Sequence, residues 1–153
     1  MNKKKKITLP LDTEFSLFGI QTNVPAYKLV YYLNKKINTS FMRNDDIYLI
    51  ENNFRIYLEK YSHYDINNEE TWTLVSNESR NYNTKINNLS LFRNSTYKLI
   101  YLIPEYKMFN YILKIDNELP KKHFVIKFNN IEVVNLFSQI NKTVLNSKDK
   151  LIF

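Results

Sequence analysis

The chain of 153 residues contains no cysteine. That excludes disulfides, thiolate metal sites and cysteine nucleophiles, and it suits a reducing compartment. There is one glycine, Gly19, and one alanine, Ala26. Phosphate-cradling loops need several glycines to bring backbone N–H groups onto the anion, so a P-loop or a GxGxxG turn is excluded as well. No serine-nucleophile motif is present. No stretch approaches the roughly 18 consecutive apolar residues of a membrane-spanning helix. The N-terminal MNKKKKITLPL begins basic without an apolar run behind it, and DTEFSLFGIQT brings charge too early for a secretion signal. Together these absences predict a soluble cytoplasmic protein with no membrane partner.

What is abundant is core material: 44% of residues are hydrophobic and 15% aromatic. A chain of this length forms one domain by the usual prior, and burying about 70% of its unfolded surface requires no covalent staple. Net charge is +7, which invites a nucleic-acid reading. A second explanation competes with it. Gly, Ala and Arg, with G/C-rich codons, are scarce, while Lys, Asn, Ile and Tyr, with A/T-rich codons, are plentiful. An A/T-rich genome drifts toward lysine without selection for a basic surface.

Lys3, Lys4, Lys5 and Lys6 form a charged N-terminal arm. Ile7 to Leu11 and Phe15 to Gln21 read as strands, and Gly19 inside the second predicts a bulge or a close backbone approach. A helix over 24–37 follows, with Thr22 or Asn23 as cap and Pro25 in the first turn, where its missing N–H costs nothing. Tyr27, Val30, Leu33 and Ile37 make its apolar stripe, and Lys35 and Lys36 close its last turn, where cations suit the helix dipole. Residues 46 to 76 predict a β-meander with Asn52-Asn53 at a hairpin turn. Phe54, Ile56 and Leu58 alternate with Arg55, Tyr57 and Glu59, and TWTLVSN places Trp72 and Leu74 on one face. NESRNYNTKINN predicts a mobile loop.

The all-apolar Leu99 to Ile103 predicts a central strand covered on both faces. Pro104 cannot donate to a sheet ladder and ends it. Glu105 then leads a turn into a second strand from Asn110 to Ile115. Asp116 or Asn117 caps a helix over 118–130, with Pro120 near its first turn, although Phe124, Ile126 and Phe128 also alternate like a strand. Val133 to Ile140 is the last strand. The expected fold is a single α+β domain: a mostly antiparallel sheet with one or two helices on one face, and a strand–helix–strand order at both ends that suggests a ferredoxin-like or ACT-like arrangement.

The chain resembles the bacterial IPExxxDY family. The resemblance rests on FSLFGIQT followed by AYKLVYYLNK, on Ile103-Pro104-Glu105, on YILKI after it, and on SKDKLIF at the C-terminal end. The family's Asp-Tyr stands here as Asn110-Tyr111, one residue further from Glu105 than the family name implies. The resemblance implies a fold and no assigned reaction, and it favours a helix near Phe124.

Among candidate sites, Glu105 could take a proton or bind a cation, or it could accept hydrogen bonds from N–H groups of the turn that follows. Asn110 keeps the hydrogen-bonding shape of an Asp without its charge, which suits a capping or turn role. His63 and His123 are expected on the surface, and Asp45-Asp46 in a turn. No metal or cofactor is expected, because metal sites need several converging ligands. Lys3 to Lys6, Lys35, Lys36, Lys121 and Lys122 are candidate phosphate contacts beside stacking tyrosines. Leu151, Ile152 and Phe153 either plug the protein's own core or are offered to a partner groove. No set of catalytic residues converges in the sequence. The first expectation is therefore a non-enzymatic interaction protein with a protein partner. RNA association is the second, and a small-molecule sensor using a sheet–helix cleft is the third.

Overall fold

A computed structural model describes residues 14–51, 54–82, 97–117 and 121–153. In chain order the elements are β1 (Ser16–Thr22), α1 (Ala26–Ile37), β2 (Met42–Glu51), β3 (Phe54–Asp65), β4 (Glu70–Ser76), β5 (Glu78–Tyr82), β6 (Tyr97–Tyr101), β7 (Tyr111–Ile115), α2 (Lys121–Asn129) and β8 (Val134–Gln139). Six strands form one sheet in the order β2-β3-β4-β7-β1-β8, and β5 pairs with β6 in a separate ribbon. Every pairing is antiparallel. The fold is α+β, as expected. The path from β1 through α1 to β4 leaves room between those strands for β7, and α2 carries β7 across β1 to β8. Strands β4, β7, β1 and β8 with the two helices thus have the connectivity of a split β-α-β frame. The β2–β3 hairpin extends that sheet, and the β5–β6 ribbon is inserted between β4 and β7.

Side chains alternate across a strand, so each central strand feeds two cores. One core lies under the helices and joins Phe18, Ile20, Leu29, Leu33, Trp72, Leu74, Leu113, Phe128 and Phe137. The other joins Leu17, Ile56, Leu58, Val75 and Ile112 to Ile100, Leu102, Ile103, Phe109, Ile140, Leu145 and Leu151. Both helices pack on one face, as expected. The opposite face is covered too, by the segment around Ile103 and by the chain after β8. Apolar residues of both parities in β1, β4 and β7 require that second cover.

Leu99 to Ile103 is not a central strand. Both edges of β7 are taken, by β1 and β4, so β6 cannot lie beside β7 and pairs with β5 instead. Leu99 is exposed, and only Ile100, Leu102 and Ile103 are buried. The central, doubly covered strand is β7. Part of NESRNYNTKINN is strand rather than loop, since Glu78–Tyr82 is β5; the rest of that segment lies outside the described residues.

The N-cap of α1 is Pro25, without a side-chain cap. Its carbonyl accepts from Lys28 and Leu29 N–H at 3.1 and 3.0 Å. Thr22 instead donates to the Val133 carbonyl at 2.5 Å and accepts from the Val24 N–H at 3.3 Å, ahead of the helix. The buried stripe is Ala26, Leu29, Val30, Leu33 and Ile37. Tyr27, one position round the helix from that stripe, is 71% exposed. In α2, Phe128 is buried, Phe124 half-buried and Ile126 exposed, the pattern of a helix rather than a strand. Gly19 makes the predicted close approach, while the irregular register falls beyond it, between Gln21 and Thr22. Asp45 and Asp46 lie within β2, where its pairing with β3 shifts, and Asp46 holds Arg43 there. Lys3 to Lys6, the strand at Ile7 to Leu11, the Asn52-Asn53 turn and residues 118–120, which link Asp116 and Asn117 to α2, lie outside the described residues.

Candidate functional site

The Ile103-Pro104-Glu105 motif is organised by Asn77, at the β4–β5 junction and wholly buried. Its side chain accepts from the Ile103 N–H at 2.9 Å. It donates to the Phe109 and Tyr106 carbonyls at 2.9 and 3.1 Å. Its backbone bonds Leu102 and Asn110. Pro104–Tyr106 is a 3-10 turn wound around this one amide. Asn110 accepts from the Thr22 N–H at 2.8 Å, locking the end of β1. The Tyr111 hydroxyl is half-buried and donates to the Val24 carbonyl at 3.4 Å; burial first, then nearby carboxylates, pushes its pKa up to about 12. Ile103, Asn110 and Tyr111 thus each make a hydrogen bond within the fold.

Glu105 does not bond the turn that follows it. One oxygen accepts from the N–H groups of Asn146 and Ser147, at 2.7 and 3.1 Å, and the other from the Ser147 hydroxyl at 2.9 Å. The carboxylate clasps the C-terminal segment across the chain. Burial pushes its pKa up, but its own N–H, the Ser147 hydroxyl and the two tail N–H groups outweigh that, and the net shift is downward from 4.5. A depressed folded value stabilises above the unfolded one and is lost as pH falls through it. The amide resonances of Asn146 and Ser147 should therefore move in one step below pH 4.5, and Glu105→Gln should abolish that step. Unchanged resonances down to pH 3 would contradict the clasp.

Beyond the clasp, Leu151 is buried in the second core. Phe153 is half-buried and Ile152 is 66% exposed. Leu151 therefore serves the protein's own core, and Ile152 offers the most apolar surface of the three. Leu151→Ala should cost about 2–3 kcal/mol in thermal or urea unfolding, whereas Ile152→Ser should change stability by less than about 0.5 kcal/mol. Equal effects would remove the plug.

Of the candidate phosphate contacts, Lys36 pairs with Glu132 at 2.7 Å, and Lys35 lies 5.7 Å from the centre of the Tyr31 ring. The side chains of Lys121 and Lys122 are outside the described residues. His123 is exposed, but His63, expected on the surface, is half-buried.

His63 belongs to a cleft of about 660 Å3 between the α1–β2 turn, the end of the β3–β4 hairpin and α2. Asn34 builds the first wall: it accepts from the Phe41 N–H at 2.8 Å and donates to the Phe41 carbonyl at 3.1 Å, while Asn38 ends α1 in the left-handed conformation that Asn tolerates. His63 Nδ1 accepts from the Ser40 N–H at 3.1 Å. Burial lowers the His63 pKa, against a smaller upward pull from Asp65 and Glu70, a direction that favours the acceptor role. Asp65 shapes the hairpin end by accepting from the Asn67 N–H at 2.9 Å and the Asn68 amide at 2.8 Å. The Trp72 ring lies edge-on to Phe124 and to His63, with centroids 5.2 and 5.5 Å away.

Glu70 lies against this aromatic group and is 2% exposed. One carboxylate oxygen accepts from the Trp72 indole N–H at 3.0 Å. The other is buried and has no hydrogen-bond partner among the described residues. Sequence reasoning missed Glu70 because DINNEE reads as a turn. The available signal was parity: Glu70 precedes Trp72 and Leu74 at the two-residue period of β4, which puts it on the core face. Among the described residues no three His, Asp or Glu side chains could hold a metal ion, and no helix is long and apolar enough to cross a membrane. No protein family matches the chain's sequence, and neither a curated protein nor a solved structure matches it.

Proposed function

We propose that the chain is a cytoplasmic accessory protein that binds a small molecule in the cleft over Trp72 and Glu70. The observation that carries this reading is the buried Glu70 oxygen without a partner. A buried acceptor left unpaired costs about 1–3 kcal/mol, and more when charged, and such costs are retained where a site needs the group. The volume falls within the usual range for ligand sites, and Trp72, Phe124 and Phe128 line it beside polar groups such as His63, Asp65 and Glu70. Kinship with the IPExxxDY family remains part of the proposal. Its support is that Ile103, Glu105 and Asn110 act in one connected region.

Thermal-shift screening with amino acids, nucleotides and simple amines tests the site. A ligand at 100 times its Kd should stabilise by about 2.7 kcal/mol. Trp72 is the only tryptophan, so each hit should also change the emission excited at 295 nm. Hits that leave Trp72 emission unchanged would place binding elsewhere.

A protein partner is a second reading, favoured by a separate patch. Tyr48, Ile50 and Tyr57 share one face of the β2–β3 hairpin and are exposed, with the two tyrosine rings 6.5 Å apart. Replacing both tyrosines with serine should leave the melting temperature within about 2 °C, since such surface changes are worth little, and should abolish association if this face docks a protein.

A further inference from the structure

Glu70 also indicates what the cleft would hold. We propose that the ligand is a small organic cation, an alkylammonium or guanidinium, whose N–H donates to the unpartnered Glu70 oxygen and whose body lies against Trp72 and Phe124. This rests on the cleft being a ligand site and adds the chemical class.

Glu70 Oε1 is taken by the indole N–H, and Oε2 has no partner among the described residues. An ionised carboxylate accepts only, so whatever completes it must be a donor. For the ionised form, a neutral donor would satisfy the lone pairs but leave the charge uncompensated, whereas a cation does both. Among the residues lining the cleft, Lys127 is the one lysine or arginine, and it is exposed. No ion pair joins it to Glu70 among the described residues. Asp65 spends both oxygens on its own hairpin end. Among the described residues no lysine or arginine pairs with Glu70.

The walls point the same way. Aromatic faces attract ammonium and guanidinium groups, most strongly when water is excluded. Trp72 and Phe124 lie beside one another, and His63, held as an acceptor by Ser40, adds a third ring without a positive charge. A bare metal ion would need converging oxygen or nitrogen ligands, and no such group of three exists among the described residues.

The test titrates the full chain, in phosphate buffer, with n-butylammonium and n-butylguanidinium, and in parallel with n-butanol and butyrate. Readouts are Trp72 emission and its indole N–H resonance, a single peak because the chain has one tryptophan. Both cations should move the indole resonance saturably, and butanol and butyrate should bind at least tenfold more weakly. Glu70→Gln keeps an acceptor for the indole and removes the charge. It should weaken cation binding at least tenfold and leave the melting temperature equal or higher. If Glu70→Gln does not fold, the cation-to-butanol ratio of the unmodified chain decides. Equal response to butanol, or to butyrate, overturns the ligand class while keeping the site. No response of Trp72 to these probes or to any hit of the wider screen overturns the site itself.

Discussion

Asn77→Ala should destabilise the protein by about 3–5 kcal/mol, the largest effect expected of any polar substitution here. Three side-chain hydrogen bonds disappear, to Ile103, Tyr106 and Phe109. The Tyr106 carbonyl keeps the Phe109 N–H. The Ile103 N–H and the Phe109 carbonyl are left unpaired in a dry core, at about 1–3 kcal/mol each. At the chain's size this is a fall of at least about 6 °C in melting temperature. Asn77→Asp sharpens the test. An ionised Asp still accepts from Ile103 but cannot donate to Phe109. Its penalty should therefore shrink relative to the unmodified chain as pH falls from 7 to 4 and the carboxyl is protonated. A pH-independent penalty, or an Asn77→Ala loss under 1 kcal/mol, would mean the motif is held by packing alone.

Gly19→Ala should cost about 3 kcal/mol, at the upper end of ordinary overpacking. A methyl group at that Cα would lie 2.1 Å from the Phe109 ring, with two more ring atoms within 2.4 Å. The ring cannot move aside, because Phe109 is buried and its backbone is tied to Asn77 and Tyr106. The cause is space, not backbone conformation. A double-mutant cycle with Phe109→Ala isolates it. In that background the glycine substitution should cost less than about 1 kcal/mol, because residues in contact are strongly non-additive. An unchanged cost would assign the glycine another role. Both substitutions bear on the same contact: Asn77 holds the turn that carries Phe109, and Gly19 makes room for its ring.

Much of this architecture was readable from residue order. Pro25 and the stripe through Leu33 and Ile37 marked α1, and the alternation around Ile56 and Leu58 and around Trp72 and Leu74 marked β3 and β4. Strand–helix–strand order at both ends indicated the split β-α-β frame. Local pattern failed where distant contacts decide. The residues of β5, ESRNY, carry no strand signal and are ordered by pairing with β6. Leu99 to Ile103 has the composition of a central strand, but β1 and β4 had already occupied the flanks of β7. The donors to Glu105 lie 41 and 42 residues away, beyond any local motif. Glu70 and Asn77 were hidden for a different reason: polar residues beside a strand read as turn, and only their register places them on core faces.

The motif carboxylate and the cleft carboxylate have opposite assignments. Glu105 is satisfied by the protein's own tail, and one Glu70 oxygen has no partner among the described residues, the place we propose for a ligand's donor. A crystal structure of the full chain grown with n-butylammonium, at a concentration that saturates its effect on Trp72, tests both at once. The account predicts the ammonium nitrogen roughly 2.7–2.9 Å from Glu70 Oε2, against Trp72 and Phe124, with Glu105 still bonded to Asn146 and Ser147. An amine seated on Glu105 with the tail displaced, or a cleft in which Glu70 bonds only protein atoms, would contradict it.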